Sequence, residues 1–119
     1  GHPPPVYISG GHTVKLEIGG MVLGLFSDAQ FEQGVLEIDP GGVLVAYSDG
    51  LMEPENVHGE EFGPERLVDV AVGHCDESPH VIAEAMMHAA EEWSSTPEQA
   101  DDMTVIVARL SAPSAARQT

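Results

Sequence analysis

The stretch Gly42-Val43-Leu44-Val45-Ala46-Tyr47-Ser48-Asp49-Gly50 decides how this chain is read. Its apolar run, rich in β-branched and aromatic side chains, has the length of a strand and the composition of one buried on both faces. The run stops abruptly at an aspartate followed by a glycine. A carboxylate at the end of a core strand has a rigid support and still reaches solvent, and loops leaving such a scaffold often carry function. The glycine allows a sharp turn or a close approach of the backbone to a ligand.

Working outward, Asp39-Pro40-Gly41-Gly42 is a tight-turn sequence. Proline presets its own φ, and a glycine accepts the positive φ that follows. This predicts a hairpin joining a strand over 33–39 to one over 43–48. Further back, 6–9 and the alternating 13–18 read as strands around a turn at Gly10-Gly11, the second half exposed, with Gly19-Gly20 closing the unit. Residues 21–31 are apolar but broken by Gly24, Ser27 and Asp28, which reads as an ordered loop.

On the other side, a polar loop runs from Glu53 to Glu61. A helix is expected over 64–72, with Pro64 in its first turn and Gly73 just past its end. Ser78-Pro79 is an N-cap followed by proline at the first helical position. From there Ile82, Ala85, Met86, Ala89 and Trp93 share one helical face, the pattern of packing against a sheet. Residues 103–110 read as a last buried strand, and 111–119 as a flexible tail. The expected fold is α+β, an antiparallel β-sheet with helices on one face.

With 119 residues and 42% hydrophobic content, the chain can form one small globular domain. Its 20 acidic residues against 4 basic ones give a formal charge of -16, which argues against a basic patch for nucleic acid or an anionic membrane. The single cysteine, Cys75, excludes an internal disulfide and points to a reducing, cytoplasmic setting. No run approaches a membrane span, and no signal peptide is visible. The abrupt start at Gly1-His2-Pro3 reads as a piece of a longer protein.

Asp101-Asp102 stand just before the last strand, as Asp49 stands just after an earlier one. If those strands are antiparallel neighbours, the carboxylates converge at one rim of the sheet. Close carboxylates repel unless a cation or proton offsets them, and oxygen ligands of this kind suit Mg²⁺ or Mn²⁺. The competing reading is a capping aspartate at each strand end. Two or three carboxylates are too few for a binuclear centre. Glu53 and Glu55 are helpers in one reading and a solvated acidic loop in the other. Other chemistries find less support. The six histidines lack a His-x-x-x-His pair, and there is no Gly-x-Ser-x-Gly elbow or glycine-rich phosphate loop.

Five segments occur in a familiar order: Gly1-His2-Pro3-Pro4-Pro5, Leu23-Gly24-Leu25-Phe26, Tyr47-Ser48-Asp49-Gly50-Leu51-Met52-Glu53, Gly59-Glu60-Glu61-Phe62-Gly63 and Asp101-Asp102-Met103-Thr104. Together they resemble the C-terminal half of a PPM-type metal-dependent serine/threonine phosphatase, of the bacterial stage II sporulation E or sigma-factor-regulator branch. The resemblance covers residues 1–110.

It implies half of an α-β-β-α sandwich with a binuclear Mn²⁺ or Mg²⁺ site between the sheets. Asp49 matches the aspartate of the family's Asp-Gly metal motif, with Gly50 beside it. Asp101 matches its last acidic motif, with Asp102 next to it. Asp49 and Asp101 are then the catalytic metal ligands, Glu53 is a weaker transfer near an accessory metal, and His2 belongs to a structural loop. The implied activity is hydrolysis of phosphoserine or phosphothreonine by metal-activated water, on a regulatory protein of the anti-anti-sigma type, with an upstream sensory domain in the parent chain. The family's upstream acidic segments, resembling Gly-Asp-x-x-Asp and Asp-x-x-Gly-His-Gly, are not in this sequence. The metal site is therefore expected to be incomplete and the fragment inactive alone, with an uncovered sheet face open to oligomerisation or strand exchange. A second reading keeps the fold but makes it a non-catalytic module for protein–protein regulation.

Overall fold

The computed structural model describes residues 3–17, 38–96 and 102–111. Strand β1 (Val6–Ser9) turns through Gly10 and Gly11 into β2 (His12–Lys15). Both glycines have positive φ, 55° and 81°, which is the type I′ geometry that matches the twist of a two-residue hairpin. Strand β3 (Val43–Tyr47) follows, then helix α1 (Gly63–Gly73), helix α2 (Pro79–Trp93) and strand β4 (Val105–Arg109). All pairings are antiparallel, in the order β2-β1-β3-β4.

Cross-strand partners share a face, and this fixes which side of the sheet becomes the core. Val6, Ile8, Val43, Val45 and Tyr47 point to the helices and are buried. Leu67 and Ala71 of α1, and Ile82, Met86 and Ala90 of α2, recur at helical spacing and meet them. Full burial of a side chain such as Ile82 or Met86 contributes roughly 1.5–3 kcal/mol. Helix α2 starts as its sequence indicates: Ser78 Oγ accepts a hydrogen bond from the Val81 amide at 3.3 Å, with Pro79 next in line.

The opposite face of the sheet is not closed by these helices. Leu44 and Ala46 are only half-buried, and Ile106 is 64% exposed. Strand 43–48 is thus buried on one face, not two, and 103–110 is not a buried strand: Met103, Val105 and Val107 pack half-buried against the core and no residue of the strand is fully inside. The α2 stripe is also narrower than expected, because Ala85, Ala89 and Trp93 are half-buried while Ala90 is fully inside. Strand β2 is exposed along its whole length, since it lies at the sheet edge beyond the helices.

The turn at 39–42 forms as read. Gly41 has φ 88°, and the Gly42 amide donates to the Asp39 carbonyl at 3.1 Å. Its expected consequence does not follow, because β3 has β1 on one edge and β4 on the other. Along Val43–Val45, where a hairpin from this turn would begin, the edge of β3 is taken by β1; residues 33–37 of the expected strand lie outside the described residues, as do the closing Gly19-Gly20, the loop over 21–31 and most of the tail. The turn instead packs on Tyr7, whose hydroxyl accepts from the Asp39 amide at 2.8 Å. Among the described residues no helix is long and apolar enough to cross a membrane.

Gly42 lies against Tyr7 so closely that a Cβ would sit 2.3 Å from the Tyr7 hydroxyl oxygen. Tyr7 is itself buried and hydrogen-bonded, so it cannot swing away freely. Gly42→Ala is expected to destabilise the fold by about 1–3 kcal/mol, the scale of overpacking. A urea midpoint equal to that of the unsubstituted chain would show that no such close approach exists.

Candidate metal-binding rim

At the end of β3 the backbone enters a 3₁₀ turn, Asp49–Leu51. Leu51 is fully buried, and its side chain anchors the turn to the core. Gly50 is buried with it, whereas Asp49 stays exposed. The Asp49 carbonyl accepts from the amides of Met52 at 2.9 Å and Glu53 at 3.1 Å, which fixes the backbone around the carboxylate. The support expected for Asp49 is therefore present: a strand behind it and a buried leucine beneath it.

The register of β3 against β4 pairs Tyr47 with Val105, so the end of one strand meets the start of the other. The ladder continues one residue further. The Ser48 amide donates to the Thr104 carbonyl at 2.9 Å. Ser48 Oγ accepts from the Thr104 amide at 2.9 Å and donates to the Asp102 carbonyl at 3.0 Å. Each such bond contributes about 0.5–1.5 kcal/mol net. They hold the backbone of 102–104 beside residues 48 and 49. Asp102 is exposed at this rim, while Asp101 lies outside the described residues.

The charge at the rim is acidic. Burial pushes the Tyr47 phenol above its ordinary pKa of 10.0, and the Glu65 and Asp49 carboxylates push it in the same direction. The described arginines are committed elsewhere. Arg66 donates to the Glu61 and Phe62 carbonyls at 3.0 Å and lies 4.2 Å over the Trp93 ring. Arg109, at the far end of β4, donates to the carbonyls of Gly41, Cys75 and Glu77. Hard oxygen donors on an exposed, acidic rim match Mg²⁺ or Mn²⁺ in chemistry. They match only part of a site, because no group of three or more metal-ligating side chains converges among the described residues.

Residues 53–61 form an ordered loop beside the rim. Glu55 and Glu61 bridge its base, and Asn56 Oδ1 accepts from the amides of His58 at 2.9 Å and Glu60 at 3.0 Å. Trp93 Nε1 donates to the Glu60 carbonyl at 2.7 Å, and Phe62 packs on the indole with ring centroids 5.8 Å apart. Glu53 and Glu55 are exposed on this loop. His80 and His88 on α2 each pair with a glutamate one helical turn on, at 3.0 Å, and His74, just past α1, pairs with Glu77 at 3.2 Å.

Two participants were not singled out by sequence reasoning. Ser48 stands inside the quoted motif, but nothing in the sequence shows that its hydroxyl crosses to β4. Trp93 reads as one more apolar position on α2, and its indole N–H only acquires a partner once the loop folds back on it.

A family model described as Stage II sporulation protein E (SpoIIE) matches residues 1–111. Protein IcfG of Synechocystis sp. is 29% identical over 84 residues, 69% of this chain and 13% of that protein. The SiaA-PP2C domain of Pseudomonas aeruginosa superimposes with a TM-score of 0.75 at 22% identity, covering 92% of this chain and 44% of that one. The PP2C phosphatase domain and regulatory-domain fragment of SpoIIE from Bacillus subtilis gives 0.74 at 24% identity, covering 92% and 32%. The manganese-presoaked SpoIIE phosphatase domain from the same organism gives 0.65 at 22% identity, covering 96% and 49%. At these identities the structural likeness is one of fold, and the chain spans less than half the length of each of these proteins.

The Tyr47 environment makes a pH-dependent prediction. Its folded pKa is raised, so the folded state holds the phenolic proton more tightly than the unfolded chain does. That stabilising contribution is complete below the unfolded pKa of about 10 and is lost as pH rises through the higher folded value. Melting temperatures of Tyr47→Phe should fall less steeply above pH 10 than those of the unsubstituted chain. Parallel falls would contradict the assigned environment.

Proposed function

The chain belongs to the stage II sporulation protein E family, and from that premise we propose that residues 1–110 are the C-terminal part of a metal-dependent protein serine/threonine phosphatase domain, followed by a tail over 111–119. The observation that carries this reading is the β3–β4 register, extended by Ser48, which supports a common rim for Asp49 and the Asp101-Asp102 segment. The two ends of antiparallel neighbours give one acidic locus from two distant parts of the sequence. The PP2C domains that this chain resembles supply the reaction class.

In this proposal Asp49 and Asp101, with Gly50 and Asp102 beside them, hold part of a binuclear Mn²⁺ or Mg²⁺ site. When bound, the metal pair would supply an activated water and offset charge on a phosphoryl group. The chain's own contribution is positioning. The buried Leu51 and the Asp49 carbonyl bonds fix the first carboxylate, and the Ser48 bonds fix the approach of the second segment. Exposure of Asp49 leaves the rim open to a phosphoserine or phosphothreonine side chain. The substrate proposed is a phosphorylated regulatory protein of the anti-anti-sigma type, in the cytoplasm, with a sensory domain upstream in the parent.

The remaining ligands are assigned to a part of the domain that precedes this sequence. The isolated fragment is then inactive and binds metal weakly. The outer sheet face, where Leu44 and Ala46 are half-buried and Ile106 is exposed, is where the second sheet of the sandwich would pack. Without that cover the fragment is expected to self-associate or exchange strands.

Hydrolysis of p-nitrophenyl phosphate with Mn²⁺ tests this reading. The complete domain should turn the substrate over, and Asp49→Ala should lower kcat/KM by at least about 100-fold, beyond the usual cost of disturbing a residue that only supports a ligand. The fragment alone should give no turnover above background. Full activity in Asp49→Ala, or fragment turnover equal to that of the complete domain, would contradict it.

A further inference from the structure

The loop between Met52 and Gly63 is fixed more tightly than a surface connection needs to be. Its base is closed by the Gly63 amide on the Met52 carbonyl at 3.0 Å and by the Phe62 amide on the Pro54 carbonyl at 2.8 Å. Its tip folds around Asn56, whose side chain accepts from His58 and Glu60 and whose carbonyl takes the Gly59 amide at 3.0 Å. The end of α2 holds it from outside. Trp93 Nε1 donates to the Glu60 carbonyl at 2.7 Å, and the Ser95 amide donates to the Glu55 carbonyl at 2.9 Å. Yet little of the loop itself is buried: residues 53, 55 and 57–61 are exposed, and Val57 at the tip is 81% exposed. A lone exposed valine is ordinary. One carried on a backbone restrained from both sides is a preorganised contact, because a loop already ordered loses little entropy when a partner covers it.

The position of the loop says what that partner is. It leaves the Asp49 turn directly, with the Glu53 amide donating to the Asp49 carbonyl at 3.1 Å. From Met52 to Val57 the chain spans at most about 18 Å, whereas a standard protein contact of about 800 Å² per partner is about 30 Å across. A polypeptide that presents a phosphorylated side chain to Asp49 therefore also reaches Val57, and a small phosphoester does not. Residues 53–61 contain no lysine or arginine, so the flanks of such a polypeptide meet Val57 among glutamates. We propose that the tip of this loop, centred on Val57, is a docking surface for the substrate polypeptide on either side of its phosphorylated residue, with Trp93 as the positioning residue that holds the loop in place. The fitting segment is apolar with basic neighbours. This deepens the phosphatase reading above and rests on it.

The test measures kcat and KM of the complete domain with Mn²⁺ on p-nitrophenyl phosphate, on a phosphoserine tripeptide, and on a peptide of about fifteen residues, long enough to span from Asp49 to Val57. The long peptide carries phosphoserine at its centre and leucine and lysine on both sides. Its kcat/KM should exceed that of the tripeptide by about 10-fold, the scale of burying one apolar side chain. Val57→Ser and Trp93→Phe should each lower that advantage by about 3–10-fold through KM, with p-nitrophenyl phosphate and the tripeptide unchanged. Trp93→Phe keeps a ring for Phe62 and Arg66 to pack on and removes only the N–H donor, so it should also speed hydrogen exchange of the His58 and Glu60 amides. An advantage that survives Val57→Ser overturns the docking surface. Equal losses on all substrates also overturn it, because the loop then only supports the fold or the rim. An advantage retained in Trp93→Phe overturns the role of Trp93. If the unsubstituted domain turns over none of these substrates, the inference falls together with the phosphatase reading. If it hydrolyses p-nitrophenyl phosphate and treats both peptides alike, only the docking surface falls.

Discussion

The arrangement depends on the antiparallel register between β3 and β4. Once Tyr47 stands opposite Val105, the residues after the first strand and before the second must share an edge. A shift of one residue would turn Val43, Val45 and Tyr47 away from the helices, so the hydrophobic core enforces the register. The energy that places the acidic rim therefore comes from apolar burial well behind it.

Both ends of the β3–β4 pair are finished by side-chain locks of different kinds. At the rim, the uncharged Ser48 hydroxyl bonds to the backbone of Asp102 and Thr104. At the opposite end, Arg109 gathers the carbonyls of Gly41, Cys75 and Glu77, tying the strand to the start of β3 and to the connection between the helices. The strand's guanidinium thus lies at the end away from Asp49. Arg66 is withdrawn in the same way, held over Trp93 by a cation–π contact. The chain has few basic residues, and both arginines described serve backbone carbonyls.

Much of this was legible in the sequence, because it follows from local pattern. The apolar run ending in Asp49-Gly50, the Ser78-Pro79 start of α2 and the Gly10-Gly11 hairpin each carry their cause within a few residues. The Pro40-Gly41 turn was equally legible, yet it misled about strand order. A turn predicts a change of direction, but the choice of strand beside β3 is made by long-range packing of β1 and β4. Burial on both faces of β3 was over-read for a related reason: composition is the same whether the second cover belongs to this chain or to another part of a sandwich. The Ser48 lock and the Trp93 clasp are long-range hydrogen bonds, and no periodicity records them.

The most direct measurement is the pattern of paramagnetic broadening that Mn²⁺ produces in the amide spectrum of the complete domain. If the two strand ends hold one ion, the signals of residues 49–51 and 101–104 vanish together at low Mn²⁺, while those of Gly41 and Arg109 at the opposite end remain. Broadening confined to one of the two segments, or spread evenly over the acidic surface, would contradict a shared site.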